Sequence, residues 1–112
     1  MSLFTVPALA NSGANGGWTE GEGYWTNTID TKYGVFSKPS SHQGWKQKSG
    51  KKYRAVGTTH WKNKRHYTRA QMVSRIFGIV HADSGRVWGT GTTEARSGWT
   101  KNYTARTFYG SN

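Results

Sequence analysis

The 112-residue sequence contains no cysteine, which excludes disulfide bonds and thiolate metal sites. Proline is scarce, with two residues, whereas glycine is abundant, with fifteen. This balance favours tight turns and short strands over long helices. At this length the chain forms one domain at most.

Acidic residues are also rare. Five Asp and Glu stand against sixteen Lys and Arg, giving a formal net charge of +11. Between Lys32 and Ala82 there is no carboxylate, although most of the cations lie there. A cation run without counter-charge keeps its field open to an anionic partner. The partners left are nucleic acid, an anionic membrane or cell-wall surface, or an acidic substrate; the alternative is a solubilising surface with no specific partner.

Apolar residues make up only 33% of the chain, and the mean hydropathy is −0.83. These values alone are typical of disorder. Six Trp, six Tyr and four Phe indicate the opposite, because disordered chains are poor in aromatic residues. The sequence therefore predicts a small folded domain whose core is built mainly of rings.

The N-terminal segment resembles the end of a secretory leader. Residues 4–10 are apolar and end in the triplet Ala-Leu-Ala, and a polar, glycine-containing run fills 11–17. A small-x-small triplet after an apolar stretch is typical of a signal-peptidase site. We expect a leader remnant and flexible segment over 1–17, a single β domain over 18–112, and secretion. An ordinary flexible terminus is the alternative.

Strand periodicity is clearest in two segments, Tyr53–Trp61 and Trp99–Tyr109, where side chains alternate between two faces. Ser49-Gly50 marks a hairpin tip before the first of them. Segment 68–80 fits a short helix or a strand, and its β-branched residues favour the strand. The pattern predicts an all-β fold, a small antiparallel β-sandwich of two short sheets with room for one short helix, or a small barrel.

Other segments complete this pattern. We predict a short strand over 33–37, loops over 38–44 and 62–65, and two short strands over 86–90 and 92–95.

The sequence gives little indication of a catalytic site or a metal site. The candidate groups are scattered and match no short motif: His42, His60, His66, His81, Asp83 and Glu94. Two histidines, a carboxylate and several arginines would suit a metal-independent ribonuclease, with His60 or His66 as base and Glu94 as its partner. We expect no enzyme activity, no cofactor and no metal site.

Cations interleaved with rings suit nucleic acid through counterion release and base stacking, but no known reader motif is present. A bacterial envelope fits the same composition. Lys and Arg gain about 1 kcal/mol each near anionic lipid, and Trp and Tyr settle at the headgroup level. The pyrophosphate of a lipid-linked cell-wall precursor would suit Arg forks or backbone amides.

Several short motifs together are similar to one family: Ala8-Leu9-Ala10, Gly16–Gly21, Val35-Phe36-Ser37 before His42 and Lys52–Val56, Asp83–Gly85 with Val87-Trp88, and Thr104–Tyr109. In these motifs the chain resembles the lactococcin 972-like bacteriocins, which are small, secreted, cysteine-free β proteins. The resemblance implies two small antiparallel sheets and an antibacterial role at the cell envelope, with a cell-wall precursor as one candidate target.

The sequence thus predicts a secreted cationic antibacterial protein that acts by binding the anionic bacterial envelope. Two exposed rings, Trp45 and Trp61, are expected to touch the target. The predicted basic footprint consists of Lys46, Lys48, Lys51, Lys52, Arg54, Lys62, Lys64 and Arg65. A ribonuclease-type toxin is one alternative, and a module that stacks Trp on wall-polysaccharide sugars is another.

Overall fold

The computed structural model describes residues 14–26 and 39–111. Within them the chain is all-β, in one seven-stranded antiparallel sheet, and contains no helix. The all-β antiparallel prediction is therefore confirmed. The strands are β1 (Gly16–Thr19), β2 (Gly23–Thr26), β3 (Ser41–Ser49), β4 (Lys52–Val73), β5 (Val80–Asp83), β6 (Val87–Arg96) and β7 (Thr104–Gly110).

Strand β4 is the centre of the sheet. One of its edges pairs first with β3 and then with β7, and the other pairs with β6 and then β5. The sheet extends beyond β7 through β1 to β2. Strand β4 therefore pairs directly with four of the six other strands, and β1 and β2 join the sheet through β7.

A sharp bend divides β4. Its register against β6 shifts between Trp61 and Arg65, and Asn63 there has a left-handed φ of 61°. On β6, Gly91 opposite the bend has a φ of 86°, which favours glycine. The hydroxyls of Thr59 and Thr68 lie 2.7 Å apart, whereas a straight strand would separate these residues by roughly 30 Å. The bend therefore folds β4 back on itself.

Folding β4 back produces two facing layers within the single sheet. The first half of β4 contributes Ala55 to the space between them, and its second half contributes Ala70 and Met72. Ala95 and Ala105 complete this buried cluster, and Trp18, Tyr53, Ala82 and Tyr103 surround it. The layers are those of a sandwich, joined because β4 and β6 pass through both.

Ring packing, which the composition predicted for the core, dominates a second cluster. Tyr67 and Phe108 are each 1% exposed and pack with Ala14, while Trp25 and Trp88 flank them. Between the layers, by contrast, small side chains allow close approach. A Cβ added to Gly57 would lie 2.9 Å from the methyl of Thr107, and one added to Gly44 would lie 2.6 Å from its hydroxyl.

Several local predictions are confirmed. The β3–β4 hairpin turns after Ser49, with Gly50 at a φ of 62°. The segment after Thr68 is a strand as far as Val73, as its β-branched residues indicated.

Other local predictions are wrong. Residues 62–65 are a bend inside β4 rather than a loop, and the predicted loop over 38–44 gives way to β3 at Ser41. The two short strands expected over 86–95 form one strand, β6, because Gly91 lets the chain turn without breaking its pairing. The last strand begins at Thr104 rather than Trp99.

The predicted strand over 33–37 and the leader-like segment over 1–10 lie outside the described residues. Within the described ranges, no helix has the length and apolar character that crossing a bilayer requires.

Candidate functional site

Three ion pairs join carboxylates and cations in the described part of the chain. Lys46 Nζ lies 2.8 Å from Glu20 Oε1, Arg69 forms a fork with Asp83, and Arg96 pairs with Glu94. No other described Lys or Arg has a carboxylate partner among residues 14–26 and 39–111. Most of the positive charge is therefore not neutralised by the described acids.

The predicted basic footprint is not one surface. Lys52 begins β4 and Lys62 lies at its bend, roughly 30 Å along an extended strand. The bend group comprises Lys62, Lys64 and Arg65. The remaining predicted cations lie at the opposite end of the layer, around the β3–β4 hairpin. The structure brings the footprint together only as two separate groups.

Rings support the cations of the hairpin group. Lys46 and Lys48 reach over the Tyr53 ring, with ammonium–centroid distances of 5.5 and 5.7 Å. The guanidinium of Arg54 lies 4.3 Å from the Trp99 ring centroid and donates to Gln47 Oε1 at 2.6 Å. These contacts hold flexible side chains over apolar surface while their charged ends stay near water.

Two more cations, which the predicted footprint omitted, belong to this end of the molecule. Tyr53 and Thr100 exchange backbone hydrogen bonds of 2.8 and 2.7 Å, which places Lys101 beside the hairpin. Arg75 shares a cleft of about 370 Å³ with Lys46. We call this group the basic end; it consists of Lys48, Lys51, Lys52, Arg54, Arg75 and Lys101.

Acidic groups at this end are few. Next to Arg75 is the β1–β2 turn, where a Cβ added to Gly21 would lie 3.5 Å from the guanidinium. The turn carries Glu20, already paired with Lys46, and the exposed Glu22. Among residues 14–26 and 39–111, this end therefore carries six cations and one carboxylate, that of Glu22, without an ion-pair partner.

An exposed apolar turn lies at the same end. Ile76 is 82% exposed and Phe77 is 77% exposed, in the connection between β4 and β5. We call this group the apolar turn; it consists of Ile76, Phe77, Ile79 and Val80. Ile76 lines the cleft with Arg75 and Tyr103, so the apolar turn and the basic end are neighbours. The sequence signal was the run of large apolar residues over 76–80, interrupted only by a glycine.

The two predicted contact rings differ in exposure. Trp45 is 39% exposed on the outer side of β3, as expected of a contact residue. Trp61 is 4% exposed, so its prediction as an exposed ring is wrong. Its ring packs at the bend against His66 and Tyr109, at centroid distances of 5.8 and 6.3 Å. Trp61 stabilises the bend instead of facing solvent.

A second face carries arginines stacked on rings. Arg65 lies 4.3 Å from the Trp88 centroid, and Arg86 lies 4.6 Å from that of Tyr67. Burial raises the pKa of Tyr67, and the nearby Arg86 opposes that rise. Arg69 holds the pKa of Asp83 below its ordinary value through their hydrogen bonds. The guanidinium groups of Arg65 and Arg86 therefore cover rings of the second core cluster.

The histidines do not assemble a base–acid pair. His66 is fully buried, with its ring nitrogens 2.8 Å from the Lys64 carbonyl oxygen and 3.3 Å from that of Thr59. His60 is exposed and hydrogen bonds to the Thr92 hydroxyl at 2.7 Å. Neither contacts Glu94, which accepts from the Thr58 hydroxyl and pairs with Arg96.

The other two histidines serve packing. His81 stacks on the Tyr103 ring at a centroid distance of 3.8 Å, and His42 lies largely buried between the layers, where desolvation lowers its pKa to about 4. In residues 14–26 and 39–111, no group of three His, Asp or Glu residues is placed to hold a metal ion.

Comparison with known protein families, curated proteins and solved structures finds no match.

Proposed function

We propose that this protein is a secreted, cationic antibacterial protein that acts by binding the anionic bacterial cell envelope. The observation that carries the proposal is the basic end, where six cations lie with the exposed Trp99 ring and, among the described residues, one unpaired carboxylate. The lactococcin 972-like motifs of the sequence support the same role.

The physical basis is charge attraction followed by ring contacts. Lys and Arg near an anionic lipid surface contribute about 1 kcal/mol each, so several side chains on one end give useful binding together. Trp99, which is 39% exposed, and the half-buried Tyr103 are amphipathic rings of the kind that settle at the headgroup level. The arrangement requires no bond to be broken in the target.

The test compares two anionic partners directly. The protein is incubated with growing Gram-positive cells and, separately, with purified RNA. We expect binding to cells and loss of viability, with the RNA left intact, and we expect raised salt to weaken binding because screening shortens the reach of exposed charges. RNA cleavage, or no cell binding at low salt, would contradict the proposal.

A wall polysaccharide is a second candidate target, favoured by the exposed Trp45 ring. Trp45 lies on β3 opposite Val56, on the outer side of the layer. A flat ring in this position suits stacking on a sugar. Pull-down with purified wall glycan tests this candidate, and we expect Trp45→Ala to abolish the interaction.

A further inference from the structure

The apolar turn is exposed, and backbone contacts fix its shape. The Ser74 amide donates to the Ile79 carbonyl at 2.8 Å, and the Gly78 amide donates to the Ser74 carbonyl at 2.8 Å. Gly78 supplies the left-handed φ of 67° that closes the turn. Backbone hydrogen bonds and Gly78 fix this geometry. The exposed side chains of Ile76 and Phe77 are therefore available to contact a partner.

Large apolar side chains at the tip of a turn are costly to leave in water, and a grouped apolar patch marks a site of contact. Here the patch adjoins the basic end: Ile76 and Arg75 line the same cleft as Lys46. Ile76 is 82% exposed, and Phe77 beside it is 77% exposed. The partner must therefore offer an apolar interior beneath an anionic surface.

We infer that the apolar turn inserts into the acyl region of an anionic lipid bilayer while the basic end contacts the headgroups. A bilayer has both required properties, since its hydrocarbon lies directly under charged phosphates. Tyr103, which lines the cleft with Ile76, and Trp99, which stacks on Arg54, are rings of the kind that favour the headgroup level. This inference rests on the proposed function and names the lipid, rather than wall glycan or a soluble anion, as the molecule contacted.

The first test uses vesicles of phosphatidylglycerol and of phosphatidylcholine without any cell-wall material. We expect the wild-type protein to bind the anionic vesicles and Ile76→Ser/Phe77→Ser to bind them at least about tenfold more weakly, because two large side chains no longer leave water. The matched control is Val87→Ser on β6, which removes an exposed apolar side chain outside the turn and should bind like the wild type.

A second measurement follows from the absence of cysteine. Phe77→Cys creates a single thiol that accepts an environment-sensitive fluorophore, and Val87→Cys provides the same label outside the turn. On adding phosphatidylglycerol vesicles, the label at 77 should shift to shorter emission wavelength and the label at 87 should not. An unshifted label at 77 on a vesicle-bound protein would overturn the insertion.

These outcomes distinguish insertion of the apolar turn from binding to the envelope in general. Binding to whole cells without binding to protein-free vesicles refutes insertion and leaves the envelope proposal standing. Equal vesicle binding by Ile76→Ser/Phe77→Ser and wild type also refutes insertion, with attraction by the basic end then sufficient. If the protein binds neither cells nor vesicles, both the insertion and the envelope proposal are refuted.

Discussion

The Nε2 atom of His42 lies 2.8 Å from the hydroxyl of Thr107, a residue 65 positions later in the chain. Its Nδ1 atom lies 2.8 Å from the hydroxyl of Thr59. One imidazole thus ties β3 to β7 and to the first half of β4, inside the space that the bend in β4 closes.

This position predicts a stability that depends on pH. Burial lowers the pKa of His42 to about 4 from 6.5, so the unfolded chain binds the proton more readily than the folded one between these values. Stability should be full above about pH 6.5 and fall as the pH drops toward 4, by on the order of 3 kcal/mol. Urea unfolding at several pH values measures this slope.

The matched variants for that experiment are His42→Gln and His60→Gln. The first should flatten the slope between pH 6.5 and 4, although it also weakens the fold by removing ring contacts. The second removes an exposed histidine from the same sheet and should keep the wild-type slope. An unchanged slope in His42→Gln would show that another group carries the pH dependence.

Close approach of the two layers predicts that replacing Gly57 destabilises the fold. In Gly57→Ala the new methyl would meet Thr107 side-chain atoms at 2.9 and 3.0 Å and the Thr68 methyl at 3.1 Å. Overpacking of this kind typically costs about 1–3 kcal/mol, which a lower urea midpoint would reveal. Gly98→Ala is the control, because the new methyl would lie no closer than 3.9 Å to its nearest neighbour, the Ala82 Cβ, and it should unfold at the wild-type midpoint.

The buried position of Trp61 predicts a stability effect in place of a binding effect. Trp61→Ala should lower the free energy of unfolding by about 3–5 kcal/mol, because it leaves a cavity at the bend. Trp45→Ala, at a ring that is 39% exposed, should change stability far less. Denaturant unfolding of both variants decides the matter, and equal small losses would contradict the packing described for the bend.

The division of the cations predicts unequal effects of charge reversal. Lys51→Glu/Lys52→Glu at the basic end should abolish cell binding at physiological salt, whereas Lys62→Glu/Lys64→Glu at the bend should leave most of it. Both pairs change the net charge by the same amount, so a purely non-specific attraction would weaken equally in the two. Arg54 is left unchanged because it stacks on Trp99. Equal losses would rule out the basic end as the contact surface.

Structural features that depend on neighbouring residues were predictable from the sequence, whereas features that depend on residues distant in sequence were not. The β3–β4 hairpin was predictable because Gly50 and the alternation after Tyr53 are local signals. The bend in β4 was not, because it depends on Asn63 adopting a left-handed conformation while Gly91, distant in sequence, lies opposite. The charged residues over 62–65 predicted a loop because their composition is typical of one.

The candidate site was predicted in part for the same reason. The cations of the hairpin are adjacent in sequence, and their local density marked them. Lys101 and Arg75 join them only through the Tyr53–Thr100 pairing and through the folding back of β4. Trp61 was misassigned because an alternating pattern does not reveal which strand face a bend will cover.

The pairing of β1 with β7 has a consequence for how the chain reaches its native state. Gly16 lies opposite Tyr109, so β1 cannot pair with β7 until residue 109 is available, although its other neighbour, β2, is adjacent in sequence. Proteins dominated by such distant pairings fold on a timescale of roughly milliseconds to seconds. In a nascent chain the β1–β2 pair and the β3–β4 hairpin form from local contacts, whereas the pairing of β1 with β7 must wait for β7.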